Sequence, residues 1–185
     1  WGAQYPDRAV LEDRSAILAL VDSAEGNESA CIAAHWFERH PGGSAANVAV
    51  ALARLGRSVG LLTCLARDEA GQGLADHLAA AGVDLVGDPW VLARTSSATA
   101  RTGPDGSASY QFDVAWDPAP VDLDGFRAIH VGSIGAVLLP GADLVRDLVL
   151  HSRGAALVSY DVNARPSITG VGATVVERTE ELASL

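Results

Sequence analysis

The residues best able to do chemistry gather between His40 and Gly56. Pro41 is followed by Gly42 and Gly43, so the backbone can turn tightly there with no Cβ to hold a ligand away. Ser44 is placed to cap a helix, and Asn47 falls in that helix's first turn. One spot therefore offers a side-chain amide that both donates and accepts, free backbone N–H groups and the positive end of a helix. That set suits a ligand rich in hydroxyls. Asp22 is the second candidate. It ends the apolar run Ala16–Val21, and open parallel sheets bind ligands beyond the carboxyl ends of their strands.

Elements must hold these groups in place. Val48, Ala51, Leu52 and Leu55 recur at i, i+3, i+4 and i+7, which predicts a helix over Ser44–Leu55 with that stripe buried. Gly56 is its left-handed stop. Ala16–Val21 reads as a strand buried on both faces of a parallel sheet, and Val59–Leu65, Val83–Val86, Phe126–Val131 and Ala155–Tyr160 read as further strands. Helices are predicted from Asp68, read as a cap rather than a catalytic group, to about Ala81, over Ala142–Ser152, and over Ala173–Ser184. Ser29–Phe37 reads as a short strand. Between Trp90 and Phe112, small and β-branched residues flank Gly103-Pro104-Asp105-Gly106, a hairpin signal. Strands alternate with helices from Ala16 onward, which predicts an α/β layered fold.

Composition narrows the function. The chain has 185 residues, 49% hydrophobic and 19% charged, as in a globular protein. A net charge of -10 argues against a nucleic-acid or anionic-membrane surface. No apolar run is long enough to span a bilayer and no signal pattern opens the chain, so a cytoplasmic protein is expected. Cys31 and Cys64 lack CxxC spacing and read as reduced thiols, and the histidines lack the spacing of a transition-metal site. No G-x-G-x-x-G follows the first strand, which disfavours a dinucleotide-dependent dehydrogenase. The chain opens on Trp1 and contains no Met, so it is expected to be part of a longer polypeptide.

The run from Gly42 to Gly56, with Gly43, Asn47, Ala49, Leu52, Ala53, Arg54 and Leu55 at fixed positions, resembles the first signature of the ribokinase-like (PfkB) carbohydrate kinases. Asp161-x-Asn163-x-Arg165-Pro166 resembles a loop beside the active cleft of fructokinases and 2-keto-3-deoxygluconate kinases. The resemblance implies ATP-dependent phosphorylation of a sugar hydroxyl, fructokinase-like, with ATP and Mg2+ as cofactors. It implies a Rossmann-like layered sheet with helices on both faces and a small β lid, formed by segments about 28–40 and 90–115, through which a homodimer could form. The implied substrate-binding residues are Asp22, Gly42, Gly43, Asn47, Asn163 and Arg165. Arg165 can offer paired donors to an anionic group, or can be a surface charge before a rigid proline. Phe112 either closes over the sugar or serves only in packing.

The sequence also departs from the family pattern. Ile17 and Leu18 stand where the family has Gly-Glu, and Ala66 replaces the first glycine of Gly-x-Asp-x-x-Gly. The second signature, Asp-Thr-x-Gly-Ala-Gly-Asp, which carries the catalytic aspartate, is not in the sequence, nor is the magnesium motif Asn-x-x-Glu. The expectation is one incomplete domain over residues 1–185 lacking the C-terminal nucleotide half. It would carry the sugar-binding half only, hold no catalytic residue and show no turnover by itself. The alternative is a non-catalytic sugar-binding or lid-mediated dimerisation module derived from a sugar kinase.

Overall fold

Strands and helices are interspersed along the chain, with four strands in succession between the second and third helices, and among the described residues the strands fall into three groups. The computed structural model describes residues 18–22, 37–102, 108–132, 134–162 and 166–184. Strands β1 (Leu18–Asp22), β2 (Phe37–Pro41), β5 (Ser97–Thr102) and β6 (Ala108–Asp113) form one sheet in the order β2-β1-β5-β6. Two parallel pairs complete the set: β3 (Val59–Leu61) with β4 (Val83–Leu85), and β7 (Ala128–Val131) with β8 (Leu157–Tyr160). The helices are α1 (Ser44–Arg54), α2 (Glu69–Ala80), α3 (Gly141–Ser152), α4 (Pro166–Thr169) and α5 (Ala173–Ser184).

Helix α1 forms where the spacing predicts, with a different face buried. Its buried residues are Ala46, Ala49 and Val50, packed with Leu61, Leu78 and Val83. Leu52 is 38% exposed and Leu55 76% exposed, so the expected stripe looks outward. The helix is apolar nearly all round, and periodicity alone cannot set its phase. An alanine face lets the helix axis come closer to β3 and β4 than a leucine face would.

Ser44 does not take the capping position either. Gly43 is the N-cap, with φ 120, and no side-chain cap bond is made. Ser44 is already the first helical residue, which puts its hydroxyl out of N-cap geometry. The first turn closes instead through Asn47 N–H, which donates to Gly43 O at 2.8 Å. Gly56 follows the helix at φ 75, a conformation that favours glycine.

The strand assigned to a parallel sheet buried on both faces belongs elsewhere. β1 pairs antiparallel with β2 and parallel with β5, so it lies in the same sheet as the hairpin β5–β6. The run predicted as a strand over Val59–Leu65 keeps ladder geometry only to Leu61. Leu65 pairs instead with the loop after β4, its N–H donating to Pro89 O and its carbonyl accepting from Leu92 N–H, and Ala66 bridges Leu92 beside it. Residues 29–36 of the expected short strand lie outside the described residues. The second core joins Val131, Ala136, Val137, Val145, Val149 and Leu182 under β7, α3 and α5.

Candidate functional site

Three strand ends, those of β2, β7 and β8, meet near the start of α1. The Gly42–Gly43 turn is buried and delivers the chain into the helix, while Asn47 one turn along is exposed. Gly132 follows the last residue of β7. A Cβ built there would lie 3.6 Å from Ser44 Oγ and 3.7 Å from Ala45 Cβ, so β7 ends directly against the first residues of α1. The end of β8 lies alongside, since Asp161 N–H donates to Val131 O at 3.0 Å. Carboxyl ends of two parallel strands and the amino end of a helix thus face the same region, the usual ligand position of open α/β sheets.

Below this region runs a cleft of about 190 Å³ between β3 and β7. Ser44, Gly60, Trp116, Phe126, Gly132 and Val149 contribute to its walls. Trp116 lies in the loop between β6 and β7. Its indole Nε1–H donates to Gly135 O at 3.1 Å, and its ring covers Gly141 at the start of α3. Gly135 and Gly141 were the only signals of that contact in the sequence, and both are weak.

The other predicted site residues are distributed as follows. Asp22 ends β1. The β1–β2 register runs from Leu18↔Pro41 to Asp22↔Phe37, so the backbone of Asp22 stands at the far end of the ladder from the Gly42–Gly43 turn. Four register positions correspond to about 14 Å of strand. The structure therefore brings Gly42, Gly43 and Asn47 together, with Ser44 and Gly132 added, and places Asp22 at a distance. Asn163 and Arg165 lie outside the described residues. Phe112 stacks on Tyr110 with ring centroids 6.1 Å apart.

Asp68 caps α2, as the sequence indicated, by accepting from Gly71 N–H at 2.7 Å. It also accepts from the N–H of Thr95 at 2.9 Å and from its hydroxyl at 2.7 Å. Burial pushes this carboxyl toward a higher pKa, but the bonds from Thr95 and Gly71 favour the charged form more strongly and hold it below the ordinary value. A carboxyl that releases its proton more readily when folded adds stability that is complete above the unfolded value of about 3.9. That stability drains away as pH falls through the folded value. Asp68→Asn should therefore flatten the acid limb of the stability curve, read from urea midpoints between neutral pH and about pH 3. An unchanged limb would contradict this. Cys64 is buried, and burial pushes its thiol up to about 11, so it is no nucleophile at neutral pH.

The sequence pattern described as pfkB family carbohydrate kinase matches residues 15–119. The chain belongs to that family of carbohydrate kinases. It is 34% identical over 140 residues to fructokinase-2 of Solanum lycopersicum, covering 70% of this chain and 43% of that protein. The chain thus spans less than half the length of the curated relatives it matches. A fructokinase structure from Xylella fastidiosa superposes with a TM-score of 0.76 at 26% identity, over 95% of this chain and 58% of that one. Aminoimidazole riboside kinase of Salmonella enterica, solved with aminoimidazole riboside and an ATP analog, superposes with a TM-score of 0.65 at 26% identity, over 92% and 55%. The fold is accordingly ribokinase-like. Among the described residues, no helix is long and apolar enough to cross a membrane.

Proposed function

We propose that this chain forms the sugar side of an ATP-dependent, fructokinase-like phosphotransferase. The observation that carries this reading is the meeting of the Gly42–Gly43 turn, the exposed Asn47 and the ends of β7 and β8. A polyol resting there would find backbone close by and an amide able to donate and accept. The two glycines let the ring approach the main chain, and the helix end supports partial negative charge. Asn163 and Arg165 lie outside the described residues, and in this reading they are sugar-binding residues on the strength of the Asp161-x-Asn163-x-Arg165-Pro166 resemblance alone.

In the reaction proposed, a sugar hydroxyl oxygen attacks the γ-phosphorus of ATP, the bond to the ADP oxygen breaks and the hydroxyl proton passes to a base. Gly42, Gly43 and Asn47 bind and orient the sugar, and none of them takes the proton. Asp22 is the sugar carboxylate of this reading, and reaching a shared sugar would require the turn and the end of β1 to be bridged. ATP and Mg2+ are the cofactors of this reading; among the described residues, no group of three or more His, Cys, Asp and Glu could hold a metal ion.

Calorimetry of the 185-residue chain with fructose and with a ribose nucleoside tests the reading. Fructose should bind, and Asn47→Ala should weaken it by about tenfold, the loss of one or two hydrogen bonds at ~1 kcal/mol each. Asn47 is exposed, so its removal should leave stability within about 0.5 kcal/mol. Absence of fructose binding, or an Asn47→Ala chain that binds as well as the parent, would overturn the proposal.

A further inference from the structure

A helix cap needs one carboxylate oxygen, and Asp68 uses both. Oδ1 accepts from Gly71 N–H and from the Thr95 hydroxyl, while Oδ2 accepts from the N–H of Thr95, far along the chain. Thr95 is 4% exposed, and its Oγ1 also accepts from Ala66 N–H at 3.0 Å. Its neighbour Ser96 is 5% exposed and bonds the N–H and C=O of Ala115 through one hydroxyl, at 3.0 and 3.2 Å. These residues stand immediately before β5 and shortly after β6. Both legs of the hairpin are therefore tied at their root, one to the other by Ser96 and the pair to α2 by Asp68.

The root is continuous with the proposed site. Ser97 begins β5 and pairs with Leu18 of β1, which pairs in turn with Pro41 beside the glycine turn. The same ladder ends with Arg101 opposite Asp22. Displacing Thr95 displaces the start of β5 and, through the register, the sheet on which Asp22 is carried. We infer that Asp68 is a positioning residue, acting through Thr95 to set where the hairpin sheet and Asp22 stand. The consequence for sugar binding rests on the sugar-kinase reading; the consequence for the hairpin does not.

Asp68→Asn separates the two roles within one side chain. The amide oxygen can still cap Gly71, but its NH2 now meets the N–H of Thr95, donor against donor. Thr95→Val removes the hydroxyl and leaves the cap untouched, and Thr95→Ser restores the hydroxyl. Hydrogen exchange of the 185-residue chain, read by mass spectrometry, should show about tenfold faster exchange in β5 and β6 for Asp68→Asn and Thr95→Val. β7, β8 and α3 should be unchanged, and Thr95→Ser should behave as the parent. Fructose affinity should fall with the same two variants. Faster exchange confined to the first turn of α2, or spread evenly over every element, would overturn the inference. If Asp68→Asn fails to fold, Thr95→Val decides by the same criterion. A parent chain that binds no fructose counts against the sugar-kinase reading alone, and exchange in β5 and β6 still judges the positioning role.

Discussion

Gly71→Ala should cost this fold about 2–3 kcal/mol, whereas Gly73→Ala, two residues along the same helix, should stabilise it by about 0.5–1 kcal/mol. Both glycines lie in α2, where alanine has the better backbone propensity, so the difference is one of space. A Cβ on Gly71 would run into the main-chain oxygen of Ala66 and come within 2.7 Å of Thr95 Oγ1. The Ala66 carbonyl cannot swing aside as a side chain could. Its residue is bridged to Leu92, and its N–H is held by Thr95. Nothing lies within 4 Å of a Cβ on Gly73. Urea midpoints of the two variants should move in opposite directions, and shifts of the same sign would refute the steric account.

Leu78→Ala should be the most damaging single truncation in the first core, at about 2–5 kcal/mol, while Leu55→Ala should change stability by no more than about 0.5 kcal/mol. Leu78 is 2% exposed and packs with Ala46, Ala49, Val50, Leu61 and Val83. Removing it opens a cavity against small residues that cannot extend to fill it. Leu55 belongs to the stripe that helical spacing marks as buried, yet 76% of it is exposed. Chemical denaturation of both variants tests the phase of α1 directly. A loss above about 1 kcal/mol at Leu55 would place that residue inside a core.

The parts of the molecule that could be read from sequence are those fixed by local rules. Helices α1, α2, α3 and α5 announce themselves by spacing and by stops such as Gly56 and Gly82, both of which take positive φ. Asp68 could be read as a cap because its partner Gly71 is three residues away. Its bonds to Thr95 could not, since nothing local in either residue encodes a contact between loops so far apart. Sheet membership failed for the same reason. An apolar run such as Ala16–Val21 fits any buried strand, and its partners are decided by β5, far along the chain. At the site, the glycine turn and Asn47 were legible from residue type and spacing. The approach of Gly132 to Ser44 was not, because it depends on where β7 ends relative to α1.

The parallel ladder between β1 and β5 joins residues about 80 positions apart, whereas β3–β4 and β7–β8 each close over about 24–29 positions. Closing the longer loop costs more chain entropy before any contact rewards it. The unit built on α2 can therefore close before β5 has left the ribosome, whereas the unit built on α3 lies C-terminal to the sheet's strands and emerges after them. The sheet that carries Asp22 must wait until Ser97 and the residues after it have been synthesised. The α2 unit, with Asp68 at its start, is thus in place before Thr95 and β5 arrive to be anchored on it, and β7 and β8, whose ends meet the glycine turn, are the last strands to emerge.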